Sequence, residues 1–182
     1  MRVSVATYER VALEDTDHIW ELVCGELVER PPMTTEHEEL SAALARRLIV
    51  QLDERDYSVR ANSGRRRVPS GNYRVPDVVV IPRDYVRRLQ ATPRTFEVYH
   101  EPMPLVVEVW SPSTGGHDVE DKLKEYQQRG DLEIWRIHPY ERTLIAWRRQ
   151  PDGSYTETLY TSGDVQSAFL PNVTIALESL FD

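Results

Sequence analysis

Three charged residues stand where a folded sheet and its covering helix would gather them. Asp77 lies near the start of the apolar run VPDVVVI, Glu108 interrupts a second run in PLVVEVWSPST, and Lys122 falls on the helix predicted after it. Burying an unpaired carboxylate costs on the order of several kcal/mol, so Glu108 needs a partner or a metal. Two acids and a lysine converging at a strand edge suit phosphate chemistry. Hard divalent cations such as Mg²⁺ are held by one or two carboxylates together with water and substrate phosphate. Such an ion polarises a phosphoryl oxygen and acidifies water, while a nearby lysine orients the attacking water or offsets developing charge.

The same spacing also fits a purely structural arrangement. In it Asp77 begins a strand at a solvated end, and Glu108 pairs with Lys122 as a buried salt bridge. Lys122 and Tyr126 are one helical turn apart and share a face with Asp118, whereas Lys124 points elsewhere.

The elements that must position these residues follow from hydrophobic period and turn chemistry. TDHIWELVCGELVER alternates loosely about Gly25, as a short strand pair does. A Ser/Thr cap at Thr34 or Thr35 precedes Leu40, Ala43, Leu44, Leu48 and Leu52, predicting a helix from about Thr35 to Glu54. Strands are expected at Tyr57–Arg60, Val75–Ile81 and Leu105–Trp110, with a turn-rich NSGRRRVPSGN and a short helical RDYVRRLQ between them. SPSTGGHD reads as a mobile loop, and a helix is expected from about Asp118 to Arg129, stopped by Gly130. LEIWRIHP and TLIAWRRQ form a strand pair, PDGS turns into YTETLY, and VQSAFLPNVTIALESLF supplies a final strand and a docking turn. The expected class is α+β: one mixed sheet of about seven strands covered by two main helices.

Composition bounds the rest. The chain has 182 residues, 40% of them hydrophobic and 29% charged, as expected of one globular domain over residues 1–182. Its apolar runs are far shorter than the roughly 20 residues that span a bilayer. The charged start MRVSVATYERVALED lacks an apolar export segment, and the single Cys24 excludes an internal disulfide or Cys-based zinc site. A cytoplasmic location is the expectation. A net charge of −8 argues against field-driven binding to nucleic acid, but not against a local basic face. Arg65, Arg66, Arg67 and Arg74 cluster in GRRRVPSGNYR, either as such a face or as a solvated loop.

GELVERPPM followed by a histidine, then PDVVVI, LVVEVWSPST, D…K…Y and G-x-x-E-x-W resemble, in that order, the Uma-two family of restriction-endonuclease-like proteins. The resemblance runs from about Trp20 to Phe181. It implies the PD-(D/E)-x-K nuclease superfamily: a restriction-endonuclease-like mixed central sheet flanked by helices, with a Mg²⁺-dependent (or Mn²⁺-dependent) phosphodiesterase site. By resemblance Asp77 and Glu108 are the metal-binding acids. The usual motif lysine would fall at Trp110, so the resemblance assigns that role to Lys122 on the following helix. It adds Glu26 as a further acid, His37 as a phosphate-contacting or bond-orienting residue (or else a capping or core histidine), and Tyr126 one turn beyond the lysine. The chain departs from the family pattern at His138, where an aspartate is usual, and at Gly115-Gly116-His117.

These readings support a metal-dependent endonuclease acting on DNA, with Asp77, Glu108 and Lys122 catalytic and Arg65, Arg66, Arg67 and Arg74 on backbone phosphates. The alternative is a catalytically inactive module of the same fold that binds nucleic acid or a protein partner. A hydrolase acting on RNA or a smaller phosphate would use the same acids. A homodimer is the expectation by analogy, since two strands must be cut.

Overall fold

A computed structural model describes residues 2–92, 95–112 and 115–182, with only the backbone described for 115–118. The expectations that fall on Ser113 and Thr114, and on the Asp118 side chain, lie outside the described residues.

The central sheet has six strands in the order β10-β9-β8-β7-β6-β3. These are β3 (Tyr57–Ala61), β6 (Val78–Pro82), β7 (Leu105–Val109), β8 (Glu133–His138), β9 (Thr143–Arg149) and β10 (Tyr155–Tyr160). Only β7 and β8 run parallel; the other neighbours are antiparallel. The two adjacent inner strands β6 and β7, VVVIP and LVVEV, are near-continuous apolar runs because both of their faces are covered.

One face packs against α2 (Thr35–Gln51), whose Leu40, Leu44 and Leu48 meet Val78, Val80, Val107 and Trp135. Thr34 caps α2 by accepting the His37 amide, and the helix ends at Gln51, short of the expected Glu54. The opposite face carries Val79, Ile81, Val106 and Ile134 beneath α3 (Arg83–Gln90) and α4 (Gly115–Arg129). Gly130, at φ +82°, closes α4 as a Schellman cap: its amide reaches Gln127 O and that of Asp131 reaches Tyr126 O.

The expectation of one sheet of about seven strands is corrected. A separate four-stranded sheet, β2-β1-β5-β4, forms from β1 (Trp20–Val23), β2 (Glu26–Glu29), β4 (Arg66–Arg67) and β5 (Tyr73–Arg74). The turn-rich segment thus hides two short strands that pair with β1 and with each other. Cys24 and Gly25, both at positive φ, make the tight turn between β1 and β2.

The N-terminal segment is also helical where no element was expected. α1 (Val5–Glu14) buries Tyr8 against Leu22, Tyr73 and Val98. The glycine pair expected in a loop lies in the first turn of α4. In the tail, β11 (Asp164–Gln166) and β12 (Thr174–Ala176) pair before a 3₁₀ turn at Leu177–Leu180. No helix among the described residues is long and apolar enough to cross a membrane.

Candidate active site

Strand register brings the two acids together. β6 and β7 pair as Val78↔Val107 and Val79↔Val106, so one further step sets Asp77 beside Glu108. Both share the sheet face of Val79, Ile81 and Val106, the face that α4 covers. Both carboxylates are buried, as is Lys122, which α4 lays across them.

Glu108 is held at both oxygens. Tyr126 donates its hydroxyl to Oε1 at 2.6 Å, and Lys122 Nζ lies 3.3 Å from Oε2. Burial, assisted by the Asp77 charge, raises its pKa against the pull of Lys122. Asp77 is the contrasting case. Burial alone would raise its pKa, but the His37 hydrogen bond and the Arg30 and Lys122 charges hold it well below the usual carboxylate range. Its Oδ2 accepts the Val109 amide at 2.6 Å and lies 3.1 Å from His37 Nε2, while Oδ1 accepts from Arg30. Two neighbouring acids pushed in opposite directions are a recurrent mark of a working site.

His37 therefore faces Asp77 from the first turn of α2, 1% exposed and directed inward. Glu26 lies elsewhere: it is exposed on β2 and bridges to Arg2. The acid that joins the site from this hairpin is Glu21 on β1. Its carboxylate lies 3.7 Å from Lys122, accepts the Val75 amide at 2.9 Å and pairs with Arg74 at 3.0 Å. Against the effect of burial, Lys122 and Arg74 keep its pKa low. The sequence held a signal for it, since IWELV places an acid inside an apolar run just as VVEVW does.

The expected basic face is corrected in two of its four residues. Arg66 is fully buried, 3.2 Å from Asp131, with its guanidinium 4.2 Å from the Tyr126 ring centroid. Arg74 is buried between Glu21 and Glu125, tying β1 to α4. Alternation along β4 turns Arg66 inward and leaves Arg67 exposed, over the Tyr73 ring; Arg65 is half-buried against Phe96. Arg66 and Arg74 thus position Tyr126 and α4, out of reach of any phosphate.

Arg30, just past β2, was not anticipated. Besides Asp77 it reaches Asn62 Oδ1 at 3.3 Å, and the charges of Asp77, Glu108 and Glu21 raise its pKa against burial. Arg30, Met33, His37, Asp77, Glu108 and Lys122 surround a void of about 10 Å³, room for about one water or ion. A larger cavity, about 470 Å³, lies away from these acids, between α2 and the C-terminal residues.

Among the described residues, no three His, Cys, Asp or Glu side chains form a ready metal cage. The donor set suits a hard divalent cation on other grounds: two carboxylates side by side, with a guanidinium standing where a compensating cation is needed. Such ions keep several waters and need few protein ligands.

Residues 5–178 match the model of the Uma2 family, described as "Putative restriction endonuclease". The crystal structure of a "putative nuclease belonging to DUF820" from Anabaena variabilis ATCC 29413 superposes with a TM-score of 0.77 at 16% identity, covering 96% of this chain and 97% of that one. At that identity the likeness establishes the fold. No curated protein matches the chain. With nearly the whole chain matched, from α1 to the 3₁₀ turn after β12, this protein belongs to the Uma2 family.

Proposed function

We propose that the protein is a metal-dependent endonuclease that hydrolyses phosphodiester bonds in DNA. The observation that carries this reading is the convergence of Asp77 and Glu108 on one sheet face with Lys122 at 3.3 Å from Glu108. Asp77 and Glu108 would hold Mg²⁺ or Mn²⁺, which supplies Lewis-acid polarisation of the phosphoryl oxygen and a more acidic water. In the reaction a water oxygen bonds to phosphorus and one P–O ester bond breaks. Lys122 supplies a fixed positive charge beside the reacting phosphate. Tyr126 fixes the Glu108 carboxylate, and His37 with the Val109 amide fixes that of Asp77. Arg30, once its Asp77 contact is given up, is a second cation for the phosphate.

One observation favours a second reading, an inactive nuclease-fold module that binds nucleic acid or a protein. Arg30 and Lys122 already neutralise the acids. Calorimetric titration with Mn²⁺ separates the two. The nuclease reading expects one site, lost in Asp77→Asn with the fold retained by circular dichroism; heat identical in both proteins, or none, favours the module.

A further inference from the structure

The mouth of the site carries an aromatic group that phosphate chemistry does not use. Trp110 directly follows β7, two residues beyond Glu108, its amide fixed to Ile137 O at 2.8 Å. Its ring stacks on His138, with centroids 4.4 Å apart and planes at 21°. Tyr140, 53% exposed, stands edge-on to both at 6.0 and 6.2 Å. Trp110 and His138 line a cavity of about 250 Å³ together with Val119, Glu120, Arg136 and Glu141. Trp110 and Val119 line this cavity and the small void between Asp77 and Glu108 alike, so the two are neighbours sharing a wall.

We propose that this cavity is a nucleobase subsite, taking an unpaired base next to the phosphate held at Asp77 and Glu108. Single-stranded or frayed DNA is then the preferred substrate class. The inference rests on the nuclease reading and adds the form of its substrate. Aromatic faces recognise bases by stacking, and a base offers its faces only when it has left the duplex stack. The cavity falls just below the roughly 300–1,000 Å³ typical of drug-sized ligands, as suits one small planar group. Its polar lining selects a base over backbone. Glu120 and Glu141 repel phosphate and can accept from exocyclic amino groups, while Arg136, held over the Trp147 ring at 4.9 Å, offers donors. Cytosine, adenine and guanine carry the amino group that this lining calls for; thymine does not.

The test is fluorescence anisotropy, in calcium buffer, of labelled strands of about ten nucleotides, within the site sizes of single-strand binders. One strand is oligodeoxycytidylate, one is an abasic strand of the same length, and one is a duplex. The wild type is expected to bind the cytidylate strand tighter than the abasic one. Trp110→Leu and His138→Ala are expected to weaken cytidylate binding by about 5- to 150-fold, the range for one stacked base, and to leave abasic and duplex binding unchanged. His138 stands on the cavity wall with its side chain partly exposed, so its variant tests the idea with little threat to the core. Equal binding of cytidylate and abasic strands by the wild type overturns the proposal, as does equal loss on both strands in the variants. If the same protein still cuts duplex DNA with metal, only the subsite falls; if it binds no nucleic acid, the nuclease reading falls with it.

Discussion

Glu108 and Asp77 respond to pH in opposite senses, and the sign can be worked out residue by residue. Glu108 has a folded pKa above 4.5, so the folded state holds its proton more tightly and its contribution to stability declines as pH rises through that raised value. Asp77 is depressed below 3.8; its contribution is present above that value and is lost as pH falls. Glu108→Gln removes only the first effect. Its melting temperature relative to wild type should therefore climb as pH rises above about 4.5, by about 2–4 °C per kcal/mol in a chain of this size. A difference that stays constant with pH would contradict the raised pKa. Arg30 gives a second residue-scale prediction. The Asp77 oxygen it occupies cannot serve a metal as well, so Arg30→Gln should tighten Mn²⁺ binding about tenfold, about 1.4 kcal/mol, by calorimetry without nucleic acid. Unchanged or weaker binding would show that Arg30 supports the ion instead of competing with it. Asp77 and Glu108 stood out in the sequence because an acid inside an apolar strand is conspicuous, and Lys122 because it shares a helix face with Tyr126. Glu21 carried the same signal, but resemblance pointed to Glu26, which the alternation of the hairpin turns to solvent. Arg30 lies outside any periodic element, and nothing local marks the residue it meets across the fold.

At the scale of elements, long periodic segments were readable and short ones were not. α2 and the strands β6 to β10 appear close to their expected bounds because each carries a clear apolar period. α1 presents only Tyr8 as a fully buried side chain, too little contrast for periodicity to register. β4 and β5 span two residues each and exist because β1 pairs with β5 and β5 with β4. Reading GRRRVPSGNYR as a charge run missed that pairing, which turns Arg66 inward. Arg66, Arg129 and Asp131 form a buried charge group joining β4, the end of α4 and the Met103 amide. Asp131→Asn leaves two buried guanidinium groups short of a charge and should cost about 3–5 kcal/mol, lowering the melting temperature by roughly 6–20 °C. A loss below about 1 kcal/mol would mean that the amide satisfies both arginines and that the charge itself is dispensable. Because Arg66 also lies over Tyr126, the same variant should loosen the hydroxyl that holds Glu108.

Over the whole molecule, charge and fold argue in the same direction. A chain of net charge −8 with two of its clustered arginines buried in ion pairs has little sequence-independent attraction for duplex DNA. On the proposed reading its selectivity comes from the site and the aromatic cavity beside it. The α+β class and the mixed central sheet could be read from element order. The division into one large and two smaller sheets could not, because it depends on pairings between segments distant in sequence. If Asp77, Glu108 and Lys122 form a working nuclease centre, the protein cuts DNA. Purified wild type and Glu108→Gln are incubated with supercoiled and single-stranded DNA in Mg²⁺, in Mn²⁺ and in chelator. Cutting by the wild type is expected to require the metal and to be lost in Glu108→Gln, still folded. No cutting of either DNA, or equal cutting by both proteins, would contradict it.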